Sequence, residues 1–302
     1  MHYPHYKACT QDATDLFKEH ELDTSFVPVK KKPDEDFGGK KPIWFMWYQG
    51  WAKAPMIIKI CYNALVDRIP EGTTLIFLDQ DNLWDYIEIP EEIRNNINKN
   101  YIMLSNLIRL NLLYCYGGMW IDSTYLLLKD LPAEIFKEKF WAIKEIYKSQ
   151  TEGDEPVTTF TYNLMYSEPN NEMLLYIYQG LCTYWKHMKY LKHYLLTCGF
   201  IDYGYKYNKY PTEYIDNLAT ELNPERYIFY SNYLNQYFNQ EDLERITKDT
   251  FAFKTSYKFN IVFDEIKGKK TYSKYLKEKY LNRGIKLDDQ RRNENARDKR
   301  TT

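Results

Sequence analysis

Three side chains in one segment have the chemistry to hold a polar ligand together. Asn106 and Arg109 stand three apart in Ser105-Asn-Leu-Ile-Arg109, so on a helix they project from one side. Asp122 follows thirteen residues after Arg109, past Gly117-Gly118, at the end of a short apolar run that reads as a strand. Open α/β sheets bind ligands outside the carboxyl ends of their strands, which brings an amide, a cation and a carboxylate to one such edge. Read structurally, the same residues are a buried Arg109–Asp122 pair that fixes a helix to a sheet. Asp79-Gln-Asp81 also follows a strand-like run, and a turn with a helix cap ahead of Asn82 accounts for it. The five histidines, at 2, 5, 20, 187 and 193, show no metal-ligand spacing, with His187 and His193 on different faces of one expected helix. No Ser-His-Asp pattern, P-loop or Gly-x-Gly-x-x-Gly fingerprint occurs. The five cysteines form no Cys-x-x-Cys pair and read as reduced core residues.

The elements that must carry these residues are legible from periodicity. The block 43–48 is a strand, 49–51 a loop, and 54–66 a helix opened by Pro55. A second strand at 73–78 leads through the turn 79–82 into a short helix at 83–87. The helix carrying Asn106 and Arg109 spans 101–116, and Gly117-Gly118 stops it because glycine takes the left-handed conformation of a helix end without steric cost. Residues 119–121 are a third strand, 125–128 continue extended, and 140–143 form a further strand. Strands alternating with helices imply a parallel sheet. Beyond 144 the pattern gives a strand at 158–166, a long amphipathic helix at 171–193, and helices near 212–222 and 241–247. The tyrosine-rich stretch 194–210 has no clear periodicity. Residues 1–40 read as a short helix and a turn-rich lead-in, and 282–302 as disordered.

Composition narrows the class. In 302 residues there are 30 Tyr, 15 Phe and 7 Trp, an aromatic load suited to sugars and bases, with only 12 Gly and 12 Pro. Ordinary packing accounts for most of those tyrosines. No apolar run reaches the roughly 18 residues that span a bilayer, and the first residues lack the profile of a secretory signal, so a cytosolic location is expected. Net charge is −1, but 254–302 holds 15 Lys/Arg against 7 Asp/Glu. That basic end is either a solvated helix and tail or an attachment to an anionic membrane surface. Nucleic acid is not expected as a partner, because the body is acidic and the basic residues lie at one end instead of on one face.

The helix Ser105-Asn-x-x-Arg109-x-x-x-Leu113, followed by Tyr116-Gly-Gly-x-Trp120-Ile-Asp122-x-Thr124, resembles the capsular polysaccharide synthesis proteins of bacteria. Those are related to glycosyltransferase family 32 and, more distantly, to the glucosylating toxins. Ile43-Trp-Phe-Met-Trp47-Tyr-Gln49-Gly50-Trp51 and the strand ending at Asp79 are similar to the same family, so the likeness covers about residues 40–145. It implies a GT-A-like α/β fold: a Rossmann-type, mostly parallel sheet flanked by helices, with a helical, tyrosine-rich C-terminal part. The implied organisation is a lead-in at 1–40, a nucleotide-sugar-binding core at 41–145, the rest of the catalytic domain with the acceptor region at 146–280, and a basic tail at 281–302.

The resemblance also implies a retaining hexosyltransferase that uses a nucleotide-sugar donor, a UDP-hexose or UDP-N-acetylhexosamine. The acceptor it implies is a lipid-linked oligosaccharide on the way to a surface or capsular polysaccharide, at the inner face of the membrane. Trp47 would stack on the base, with Gln49, Gly50 and Ser123 as further donor contacts. Asn106 and Arg109 would meet the donor's sugar and phosphate. Asp122 would be the first acid of an Asp-x-Asp motif that holds a divalent metal, Mn²⁺ or Mg²⁺, on the diphosphate. Two departures stand out. The second acid is Thr124, which leaves fewer charged oxygens for a metal, and the acid usual after Ser105 is Asn106. The rival implication is a noncatalytic carbohydrate-binding or scaffold protein with a degenerate GT-A site.

Overall fold

The computed structural model describes residues 3–33 and 37–281. The chain runs α1 (Tyr3–Glu19), β1 (Val29–Lys30), β2 (Lys41–Met46), α2 (Met56–Val66), β3 (Thr73–Leu78), β4 (Ile87–Glu88), α3 (Glu91–Ile97) and α4 (Tyr101–Tyr116). It continues with β5 (Gly118–Ile121), β6 (Tyr125–Leu127), β7 (Phe140–Trp141), β8 (Lys144–Tyr147), β9 (Val157–Phe160) and β10 (Leu164–Ser167). Then follow α5 (Glu172–His187), α6 (Leu196–Lys206), the one-turn α7 (Glu213–Asp216), α8 (Gln240–Thr247), β11 (Ala252–Lys254) and α9 (Tyr272–Leu281).

These elements group into two units. The first takes the residues up to Gly50, then Glu71–Asp122 and Pro132–Leu222. The second takes Trp51–Pro70, Ser123–Leu131 and the residues from Asn223 onward. In the first unit a five-stranded sheet has the order β3-β2-β5-β10-β7. Strand β2 is parallel to β3 and to β5, while β10 is antiparallel to both β5 and β7, so four of the five strands point one way. Ile43, Trp44 and Phe45 are all buried, so β2 is covered on both faces and reads as an unbroken apolar run. The core of this unit joins Trp44 and Trp120 of the sheet to Leu107 and Ile108 of α4 and to Ile177 and Leu181 of α5.

The double glycine is dictated by a close approach. Gly117 (φ +67°) caps α4, its N–H donating to the Leu113 carbonyl, and its own carbonyl accepts from Trp44 Nε1 at 2.9 Å. Gly118 (φ +88°) opens β5 so near to β2 that an added Cβ would stand 2.1 Å from the Pro42 carbonyl oxygen. The second unit is smaller. In it β6 pairs antiparallel with β11, α2 packs on β6 and α9, and Asn63 Nδ2 donates to the Tyr280 carbonyl.

Several boundaries differ from the sequence reading. The expected strand 158–166 is two strands, β9 and β10, separated by a turn at 161–163. Helix α5 ends at His187, so His193 lies in the following loop, where its Nδ1 and Asp12 Oδ2 share a 2.5 Å hydrogen bond with the carboxylate accepting. The expected short helix at 83–87 is one 3-10 turn, Leu83–Asp85, and the helix expected near 212–222 is only α7. The unassigned stretch 194–210 contains α6. Its glycines obscured it: Gly199 lets the α1 backbone approach, an added Cβ there falling 2.1 Å from the Cys9 carbonyl oxygen. Helix α1, at 17 residues, is longer than the short helix expected and buries Tyr6, Cys9, Ala13 and Leu16. The disorder expected at 282–302 lies outside the described residues.

Candidate functional site

Strands β2, β3 and β5 are parallel, so their carboxyl ends share one edge of the sheet, and Trp47, Asp79 and Asp122 are the residues that leave it. Trp47 N donates to the Leu78 carbonyl and Gln80 N to the Tyr48 carbonyl, which stitches the loops after β2 and β3 together. Gly50 (φ +82°) closes the first loop by donating to the Trp47 carbonyl. An added Cβ at Gly50 would lie 3.7 Å from Asp79 Oδ2, so the buried Asp79 carboxylate lies against this loop. Gln49 is exposed and Trp47 half-buried.

Asp79 does the work of a turn. Its Oδ1 accepts from Asp81 N at 3.1 Å, its own N–H donates to Asn82 Oδ1, and Asn82 Nδ2 returns to the Phe77 carbonyl. Asp79 is 1% exposed, whereas the Asp122 side chain retains 24% exposure.

Asp122 is held by partners on three elements. Arg109 Nη2 of α4 approaches Asp122 Oδ1 at 3.1 Å, Trp120 Nε1 of β5 donates to the same oxygen at 2.8 Å, and Asp122 N donates to the Asn163 carbonyl. Arg109 is itself caged. Its Nε donates to the Ser105 carbonyl, Nη1 to the Tyr162 carbonyl at 2.8 Å, and Nη2 to Ser105 Oγ. The guanidinium lies between the Trp120 and Tyr162 rings, 5.1 and 5.2 Å from their centroids. Burial holds the Tyr162 phenol well above its ordinary value, so it stays neutral beside that cation. Four of the five guanidinium N–H groups are thus engaged, and the Arg109 side chain is 5% exposed. Arg109 orients Asp122, and the carboxylate is the group the pair presents.

Asn106 turns elsewhere. Its Nδ2 donates to Thr197 Oγ1 of α6 at 2.9 Å, which ties α4 to the start of α6. Ser123 and Thr124 open the second unit, where the Thr124 carbonyl accepts from Thr255 N and Oγ1, both at 2.8 Å. Ser105 and Trp120 stand in the motif with no role assigned to them, and Tyr162 is not singled out by the sequence. Trp120 had a signal, since residues two apart on a strand share a face. Tyr162 had none, because its carbonyl is brought to Arg109 by a turn 53 residues away.

Among the described residues no group of three or more His, Cys, Asp or Glu could hold a metal ion. Within the first unit the donor set at Asp122 is one carboxylate beside a guanidinium. Such a set fits a divalent cation only where a bound ligand's phosphates supply the remaining oxygens.

The fixed, partly exposed Asp122 carboxylate stands beyond the carboxyl end of a central strand, the place where open α/β sheets put their ligands. The chain belongs to the capsular polysaccharide synthesis protein family, which matches residues 8–276. No curated protein matches it. Among solved structures it is similar to the PaToxG glycosyltransferase, with 13% identity over 81% of this chain and 95% of that one and a TM-score of 0.39. Among the described residues no helix is long and apolar enough to cross a membrane.

Proposed function

We propose that this protein is a retaining glycosyltransferase of GT-A type that moves a sugar from a UDP-hexose or UDP-N-acetylhexosamine to a lipid-linked oligosaccharide, a precursor of a capsular or surface polysaccharide. One observation carries the reading: Asp122 is immobilised by Arg109 and Trp120 yet keeps its carboxylate partly open at the sheet edge. A carboxylate alone would repel the negative charge that develops on a leaving diphosphate, so in this reading Asp122 acts by holding a counter-charge there. A divalent metal, with Asp122 as its protein ligand and Thr124 as the second motif position, would supply the counter-charge for that diphosphate. Trp47, Gln49, Gly50 and Ser123 are the proposed donor contacts, with Trp47 offering a ring face to the base. Asn106, hydrogen-bonded to Thr197, acts in this reading by fixing α4, and Arg109 by fixing Asp122. The reaction takes place on the cytoplasmic side, with the enzyme peripheral to an anionic membrane.

The rival reading, a binding protein without transfer, draws on the same ion pair, since a caged Arg109 with Asp122 is also a structural fastener. Donor hydrolysis by Asp122→Asn and Asp81→Asn, with melting temperatures for both, decides between them. Asn keeps an acceptor for Trp120 and Arg109, so the fold should survive. Loss of a positioned contact should remove several kcal/mol of transition-state stabilisation, roughly a hundredfold or more in rate. Asp81 is exposed, and its substitution should leave turnover near normal. Unimpaired hydrolysis in a folded Asp122→Asn would refute the assignment.

A further inference from the structure

Two loops of the second unit hold large rings out in water. Tyr230 and Phe259 are 44% and 46% exposed, and they touch each other, with centroids 5.8 Å apart at 78°. The loops are stitched together by Asn235, whose Nδ2 donates to the Asn260 carbonyl and whose Oδ1 accepts from Val262 N, both at 2.8 Å. Tyr237, two residues beyond Asn235, is also exposed, and Lys269 Nζ lies 5.2 Å from its ring centre. The rings are therefore borne on a fixed scaffold.

The segment that carries Phe259 has a basic excess. Between Lys254 and Leu281 there are eight Lys and three acids. Each acid already faces a lysine, Glu265 with Lys274, Glu278 with Lys270 and Asp264 with Lys277, and Lys258, Lys267, Lys269 and Lys279 stand outside those pairs. Of those, Lys269 and Lys279 rest over tyrosine rings, and a ring holds a cation without neutralising it. Lys258 stands exposed next to Phe259.

We infer that this face is a docking surface for an anionic phospholipid membrane, with Tyr230 and Phe259 entering the interface and the lysines of 254–281 meeting the headgroups. Amphipathic rings and long cationic side chains are the residues that partition to the lipid–water boundary. The edge-to-face pair makes a wedge and not the flat shelf on which a sugar ring would lie. The inference sharpens the membrane attachment of the proposed function, places it on residues 230–281, and does not require Asp122 chemistry.

The test uses the full chain with vesicles of phosphatidylcholine, with and without phosphatidylglycerol. Wild type should sediment with the anionic vesicles alone and be released by salt. Tyr230→Ser/Phe259→Ser should lower the bound-to-free ratio about tenfold or more, with an unchanged melting temperature and unchanged stabilisation by UDP. A chain ending at 281 should still bind. Phe259→Trp should keep binding and add a blue-shifted emission component with anionic vesicles, a readout that stands even if the double variant fails to fold. The inference is overturned if wild type ignores the vesicles, if the double variant binds as wild type does, if removal of 282–302 alone abolishes binding, or if an oligosaccharide without lipid produces the blue shift. Donor hydrolysis by the double variant without vesicles tests the transferase reading separately.

Discussion

The indole of Trp120 and the guanidinium of Arg109 end on one oxygen of Asp122, and each limits where that carboxylate can point. Trp120→Phe removes the indole N–H and keeps a ring over Arg109. A hydrogen bond to a charged group is worth about 1.5–3 kcal/mol, so donor hydrolysis should fall roughly ten- to a hundredfold. The loss should appear in kcat more than in UDP affinity, because the contact positions the carboxylate and does not itself touch the base. A variant that loses stability but hydrolyses donor at the wild-type rate would show Trp120 to be core filling alone. The three-residue spacing from Asn106 to Arg109 is legible in the sequence, and the motif contains Ser105 and Trp120 without giving them partners. Local geometry fixes which side chains share a face of a helix or a strand. The Arg109–Asp122 pair is legible as well, but the Thr197 and Tyr162 partners are not, because they come from distant segments.

At the scale of elements, the close pairing of β5 with β2 decides where Asp122 emerges. Gly118→Ala would place a methyl 2.1 Å from the Pro42 carbonyl oxygen and force a side chain into φ +88°. The left-handed backbone costs about 1–2 kcal/mol and overpacking about 1–3 kcal/mol, so a destabilisation of about 2–5 kcal/mol is expected. Gly39→Ala is the control: φ is +73°, nothing lies within 4 Å of the added Cβ, and only the backbone cost should appear. Urea unfolding of the two variants measures the difference, and equal costs would show that the β2–β5 approach is slack. Helix α4 was readable in full, because Asn100 caps its start, its Oδ1 accepting from Met103 N, and Gly117 ends it. Helices α3 and α6 are not legible in the sequence, and α9 appears there only as a helix without bounds in the basic end. In α6 the glycines that weaken helix propensity are those that admit the Cys9 carbonyl and the Tyr176 and Tyr210 rings, so its helical state depends on what packs there.

Across the whole molecule the interior is thoroughly covered. All five cysteines are buried and free, and burial pushes the Cys9 and Cys61 thiols up to about 12. At pH 8 only about one in ten thousand of such thiols is ionised, and the thiolate is the reactive form. Thiol reagents should therefore leave the native protein nearly unlabelled and modify five cysteines per chain in denaturant. Fast labelling of a thiol in the native protein would mean that its cover opens. The tyrosines divide in the same way between core and water: Tyr166, Tyr178, Tyr184 and Tyr272 are interior, while Tyr190, Tyr194, Tyr230 and Tyr237 are exposed. Composition gave their number but not this division, which depends on what packs against each ring.

What the sequence determined by itself was local or periodic: the apolar strands, the α4 helix with its caps, the α/β alternation, and the motif from Ser105 to Thr124 by which the family is recognised. Tertiary structure alone decided that β10 enters the sheet antiparallel between β5 and β7, and that Asp79 is buried while Asp122 stays partly open. It also decided that Arg109 is enclosed by Tyr162 and Trp120. The physical reason is separation along the chain. Propensity, capping and period act over a few residues, whereas the burial of a carboxylate or the partner of a guanidinium is set by distant segments, such as that of Tyr162, 53 residues from Arg109, which meet only when the core forms.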